Sequence, residues 1–535
     1  MDEEMVHEGN AAPGQTTTGR SAFASLQTAI ECSDWEGASA SVRDGWFQLA
    51  IEHGDATRLL LERVPAHELR AQPLLAMMLG LSYNVLGFHR LRAIRYFVTA
   101  VRAARAPRNR TLSPIDRVLI RSAEASAYRL IGRPGLAVSA ARAAVSELDQ
   151  LADEQRQAIR ELPRVYAQIG ISFYYAHEVD DAMRTFAKGL AATPTTPPSP
   201  GFGNLAMLAG IHALQGDLPE SQAHVEYART GPWNDRQRRM YTGTFYRLAE
   251  AMLALERFDP DEARAQLAAM EHDPRSIEHW VVVAQVEALT RLVAGEPGRA
   301  LADLEAYVRM RSAESRSATV RTRLAETRAI LHLALGNPDA ARTIVDRDMT
   351  DGPERHIARA RADLALGKNG SALSGLRAVS GAASTARRSA EAVALEAAVL
   401  LRLAPTTRTA GAVEQLGALL ERTRQRLPLA MLPTDDLERV TTALDGAGYR
   451  HVFQDVPLRS LLPASELGLP LTARELAVLT QLVTTSSVAQ IASALVVSTN
   501  TVKTQLRSLY RKLGVNNRED AVAMAHTRHL LVKRD

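Results

Sequence analysis

Cysteine is almost absent: Cys32 stands alone in 535 residues. That excludes an internal disulfide and any paired-thiol metal site, points to a reducing compartment, and leaves Cys32 to be read as a small buried residue. Aromatics are scarce at 5%, and with Ala, Leu and Arg abundant the balance favours helix over sheet. No apolar run approaches the roughly 20 residues that cross a bilayer, so no membrane association is expected. The opening MDEEMVHEGNAAPGQTTTGR is acidic and then polar, unlike a secretory leader. It reads as a disordered tail over residues 1–20.

Catalytic signatures are missing too. There is no H-E-x-x-H, no G-x-S-x-G, no G-x-G-x-x-G after a strand and no G-x-x-x-x-G-K-[ST]; LGKNGSALSG has the wrong spacing for a phosphate loop. Fourteen histidines are scattered. Acid pairs such as Asp180–Asp181 and Asp435–Asp436 fall at helix starts, where the helix dipole accounts for them. Trp35, Trp46, Trp233 and Trp280 read as packing residues. No enzyme, no metal site and no cofactor is expected.

What is present is unevenly spread. The length predicts two to four domains. From Leu471 onward there are nine Lys and Arg against four Asp and Glu, so 9 − 4 = +5; with a total of +4, the preceding 470 residues carry 4 − 5 = −1. A basic module on a neutral body implies a polyanionic partner.

The body repeats itself. An apolar helix, a turn residue, and a small residue five positions on recur at Gly132/Ala137, His177/Ala182, Gly216/Ser221, Phe258/Ala263, Gly295/Ala300, Gly336/Ala341 and Gly367/Ala372. Glycine can end a helix in the left-handed conformation; Pro or an acid beside it suits the first turn of the next helix; the small residue lets the two helices approach. The offset resembles the tetratricopeptide pattern, although most intervals exceed that family's usual repeat. The resemblance implies an all-α fold, a tetratricopeptide-like α-solenoid over residues 21–449 of nine or ten hairpins, each leaving an apolar face for its neighbour to cover. An early hairpin turns at Gly87, and residues 192–201 form a Pro-rich loop between hairpins. Residues 450–470 lose helical periodicity, hold three prolines from Pro457 on, and read as a linker.

Residues 471–535 form a different module. Thr472 with Glu475 makes a capping box before Leu476, Leu479, Leu482 and Val483. Ser487 with Gln490 makes a second capping box that opens VAQIASAL, Ser498 caps a third helix, and Asn517 stands near the start of a fourth. On the third, at about 100° per residue, Val502, Leu506, Leu509 and Leu513 form a buried stripe. Asn500, Lys503, Thr504, Arg507 and Arg511 occupy the opposite side with no acid among them, whereas ordinary solvated faces mix both signs. Such a face fits the DNA major groove, where Lys and Arg donate to guanine and Asn reaches adenine. A short helix, a short turn and this helix make a helix-turn-helix.

LTARELAVL, AQIASAL, STNTVKTQLRSLYRKLGV and NNREDAV together resemble the four helices of the LuxR-type helix-turn-helix. The resemblance implies double-stranded DNA as partner, with Lys503, Thr504 and Arg507 facing bases and Thr501, Arg511, Lys512 and Arg518 near phosphates. It also implies a fourth helix that helps pair two modules into a homodimer. The chain departs from the usual pattern at TTSS, Gln490 and Gln505, which bears on site preference. Upstream, the stretch from AIECSDWEGASASV to LSYNVLG resembles the start of the helical-repeat sensor arm of the large ATP-dependent LuxR regulators, without their ATPase. The expectation is a cytoplasmic bacterial transcription regulator whose solenoid receives an unidentified ligand, peptide or protein. The alternative is a repeat scaffold whose terminal module no longer binds DNA.

Overall fold

A computed structural model describes residues 17–530 except 86–89, 105–111, 160, 198, 272–277, 312–314, 316, 380–384, 404–405, 465–470, 486, 514, 516 and 528–529. Among the described residues every extended element is helical, and the one β-type pairing is an isolated bridge between Pro433 and Leu462. The chain divides into two compact units, Met1–Leu208 with Gly231–Asn234, and Ala209–Thr230 with Asp235–Asp535.

All seven turns found by spacing adopt the left-handed conformation, at φ values from 60° to 87°, including His177 (65°) and Phe258 (60°), where no glycine stands. Each carries the bond that closes a helix C-terminus, from the N–H one residue after the turn to a carbonyl five residues back: Asn337 to His332 (2.8 Å) and Asp259 to Ala254 (3.0 Å), for example. Proline follows at the first helical position at Pro134, Pro260, Pro297 and Pro338, where its missing N–H costs nothing. The small residues at plus five are sealed: Ala182, Ser221, Ala263, Ala300, Ala341 and Ala372 are fully buried and Ala137 nearly so. An eighth copy, Ser33 (φ 55°) with buried Ala38, escaped the sequence pattern because serine occupies the left-handed position. Gly87 lies outside the described residues.

In the first unit the helix pairs Thr17–Glu31/Trp35–Asp44, Pro73–Val85/Arg90–Ala104, Pro114–Leu130/Pro134–Gln150 and Leu162–Tyr175/Val179–Ala191 pack as antiparallel hairpins. The second continues with Thr244–Glu256/Pro260–Ala268, Trp280–Val293/Pro297–Met310, Ala318–Ala334/Pro338–Asp348, Pro353–Ala365/Asn369–Arg377 and Ala386–Leu403/Thr407–Thr423. The first helix of a hairpin packs on both helices of the one before, as Pro353–Ala365 does on Ala318–Ala334 and Pro338–Asp348. The first helix begins at Thr17, inside the stretch expected to be tail; residues 1–16 lie outside the described residues. Cys32 is exposed rather than buried, because it sits at the solvent end of that helix, just before the turn.

Two further features belong to the second unit. Glu326, Arg361, Arg388 and Glu391, from three successive first helices, form a largely buried charge cluster in which Arg388 Nη2 donates to Glu326 at 2.6 Å. Burial opposes ionisation of Glu326, but Arg388 and Arg361 outweigh it and hold the carboxyl below its usual range. The chain after Thr423 then returns across earlier hairpins. Gln425 is buried under Gly216, where any Cβ would stand 2.6 Å from its side chain, and Glu256 accepts from the N–H groups of Arg426 (2.6 Å) and Leu427 (2.9 Å). Residues 450–463, part of the stretch 450–470 expected as a linker, continue this return. Arg450–Val452 form one 3-10 turn, and Leu462 is 3% exposed.

Candidate nucleic-acid interface

The terminal module is built on four helices: Ala473–Thr484, Val488–Leu495, Thr499–Leu513 and Arg518–Thr527. Each N-cap residue is used. Thr472 and Glu475 satisfy one another's backbone N–H groups, Thr472 N to Glu475 at 2.7 Å and Glu475 N to Thr472 at 3.2 Å. Ser487 accepts from Gln490 N, Ser498 from Thr501 N (3.1 Å) and Asn517 from Asp520 N (2.8 Å). Gln490 does not complete a second box; its side chain engages Thr485 instead. The four helices share one apolar core of Val478, Leu479, Leu482, Ile491, Ala492, Val502, Leu509, Leu513, Ala521 and Ala525.

The third helix divides as its angles require. Val502 and Leu509 are fully buried, Leu513 nearly so, and Leu506 half-buried against the same core. Asn500, Lys503, Thr504 and Arg507 are all exposed. Thr504 returns its hydroxyl proton to Asn500 O at 2.9 Å, which leaves its methyl and its oxygen lone pairs outward. Arg507 is 78% exposed, and its guanidinium lies 3.7 Å from Asp339 in the first turn of the helix Pro338–Asp348. A single exposed pair of that kind is worth little and leaves the side chain available. Arg511 belongs to the helix, but its side chain lies outside the described residues. Thr501 sits in the first turn with its hydroxyl 2.8 Å from that of Ser498.

Lys512 and Arg518 already have intramolecular partners. Lys512 Nζ donates to Glu475 at 2.7 Å, and Ser508 donates to the same carboxylate at 2.6 Å. Burial alone would raise the Glu475 pKa; Lys512, Ser508 and Thr472 together hold it down at about 2. Arg518 donates to Leu482 O (2.9 Å) and Val483 O (3.4 Å), closing the C-terminus of the first module helix. By its local pattern Glu475 is a capping residue and nothing more. Its second task, fixing the third helix to the first, runs over separations of 33 and 37 residues to Ser508 and Lys512, which no local pattern encodes.

Among the described residues no three His, Cys, Asp or Glu gather as a metal site, and no helix is long and apolar enough to cross a membrane.

Fold and face together define a helical-repeat protein ending in a helix-turn-helix of the DNA-binding kind. Residues 469–525 match the family described as bacterial regulatory proteins, luxR family, so the chain carries a LuxR-family DNA-binding, transcription-regulating domain at its C-terminus, behind an all-helical repeat region. No curated protein matches the chain. Among solved structures, the one titled "Structure of Naa15/Naa10 bound to HypK-THB" is similar at 10% identity and a TM-score of 0.22, over 96% of this chain and 91% of that one. At that score the likeness bears on neither fold nor function.

Proposed function

We propose that the protein is a sequence-specific transcription regulator of a bacterial cytoplasm. In this reading its helical repeats receive a signal and its terminal module binds operator DNA as a homodimer paired through the helix Arg518–Thr527. The observation that carries this reading is the exposed, acid-free face of Asn500, Lys503, Thr504 and Arg507 opposite a buried Val502–Leu509–Leu513 stripe. Laid in the major groove, that face presents Lys503 and Arg507 to guanine O6 and N7 and Thr504 to a thymine methyl or a base edge. Thr501 and Arg511 flank it and are assigned to phosphates. Lys512 and Arg518, each engaged within the module, serve the complex first by holding the helix at its angle, with any spare donor directed to the backbone.

The test is selection of bound duplexes from a random-sequence pool with the full chain, followed by fluorescence anisotropy on the enriched site. Specific binding that falls steeply with salt is expected. Lys503→Ala with Arg507→Ala should erase preference for the selected site while far-UV ellipticity stays unchanged. Recovery of no enriched sequence would sink the proposal.

A further inference from the structure

The stretch ahead of the terminal module is held as a recognised peptide is held. Leu458 packs against the cluster that includes Ile357, Leu364, Ala394 and Leu416. Leu461 joins Trp280, Ala284, Leu331 and Met431, and Leu462 is sealed with Ala325, Ala329, Ala358 and Ala362. Five residues of non-helical chain therefore reach three hydrophobic clusters.

The polar contacts are equally organised. Leu461 N donates to Ala430 O (2.8 Å), Ser460 Oγ to Leu432 O (2.5 Å) and Thr434 Oγ1 to Leu462 O (3.1 Å), beside the Pro433–Leu462 bridge. Arg459 Nη2 donates to Val293 O at 2.6 Å, at the C-terminal end of the helix Trp280–Val293, where a cation is favoured. Main-chain hydrogen bonds give such a segment its hold, and side chains in pockets give it specificity. A mere tether needs neither, since it works by length. The outer edge is open: Pro457, Arg459 and Pro463 are exposed, and the two prolines keep the segment from closing into a helix.

We propose that the surface around the helices Trp280–Val293, Ala318–Ala334 and Pro353–Ala365 is a docking site for an extended, leucine-bearing segment of a partner protein, and that residues 458–462 fill it in cis until that partner arrives. The matching segment carries a leucine, a cation, a small polar residue and two leucines in the order of Leu458-Arg459-Ser460-Leu461-Leu462. The occupant already seated there supplies the chemistry of the competitor. Nine residues, 463–471, separate this strap from the module's capping Thr472, a reach of about 30 Å fully extended. Release of the strap back to Phe453 gives 18 residues, 454–471, and a reach of about 60 Å. Docking of the partner thus doubles the range over which the terminal module can search. This last consequence rests on the proposed function; the cis-filled surface does not.

The probe is a fluorescein-labelled peptide with the sequence of residues 455–464, titrated into the full chain and read by anisotropy. In Leu461→Asp with Leu462→Asp the strap is ejected, and the peptide should bind at least tenfold more tightly than to the unaltered chain. A peptide in which the leucines of positions 461 and 462 are replaced by aspartate should not bind. Should the double variant lose helical ellipticity, Arg459→Ala with Ser460→Gly removes the polar anchors and leaves the leucines seated; a gain of about threefold is then expected, as a weakened strap competes less well. The inference is overturned if the peptide binds neither folded variant, if it binds the unaltered chain equally well, or if the aspartate-substituted peptide binds as tightly. Operator affinity measured in the same samples separates the two readings. Peptide binding without DNA binding removes the proposed function alone, and DNA binding without peptide binding removes this inference alone.

Discussion

Lys503 and Arg507 hold the functional case at the scale of single residues, because their side chains are exposed and their helix has no freedom to turn them inward without burying charge. Removal of both should weaken operator binding on the order of 100-fold or more, since each base contact is worth roughly 1–3 kcal/mol. Glu475 offers a second test. Its folded pKa of about 2 lies below the free carboxyl value, so its contribution to stability is fully present above about pH 4.5 and disappears as pH falls toward 2. A fragment of residues 464–535 should therefore lose on the order of 2 kcal/mol across that window in urea titrations, and Glu475→Gln should flatten the loss while lowering stability at pH 7. Val496, between the second and third module helices, is 91% exposed and left-handed at φ 54°. A β-branched side chain there costs roughly 1–2 kcal/mol. Val496→Asn should raise the fragment's unfolding free energy by about 1 kcal/mol, as asparagine tolerates that conformation and no packing is lost.

Among elements, the hairpin is the unit, and its left-handed turn closes it. Gly336 has φ 72° with open space where a Cβ would lie, so Gly336→Ala should cost only the conformational penalty, roughly 1 kcal/mol. At Gly216 the buried Gln425 side chain adds a steric clash, and the same change should cost clearly more; paired melts of the two variants make the comparison. Between hairpins, Arg388 balances Glu326 and Glu391. Arg388→Met leaves two buried carboxylates short of a cation and should destabilise by about 3–5 kcal/mol, visible as an earlier unfolding transition in urea. The turns were legible from sequence because glycine or a stand-in and a small residue lie five positions apart, with an acid or proline between them at all but the Gly367 turn. Ser33 was missed because serine gives no warning of a left-handed turn, and Cys32 was misplaced because exposure depends on where the helix ends.

On the scale of the whole molecule, positive charge concentrated in the last 65 residues meets a nearly neutral body. The salt dependence of DNA binding should therefore be that of the module alone, and the 464–535 fragment should give the same slope of affinity against salt as the full chain. The strap depends on a different order of information.

Helices, turns, the capped four-helix module and the sidedness of its third helix could all be read from the order of residues, because each rests on groups within a turn or two of one another, where backbone sterics and periodicity act. Three dimensions were needed to bring Lys512 and Ser508 onto Glu475, to hand Arg426 and Leu427 to Glu256 from 170 and 171 residues away, and to set Leu458, Leu461 and Leu462 in the body rather than in solvent. Those contacts arise from how stacked hairpins bring distant surfaces together. An extended segment with leucines and prolines has the same local pattern whether it hangs free or fills a groove.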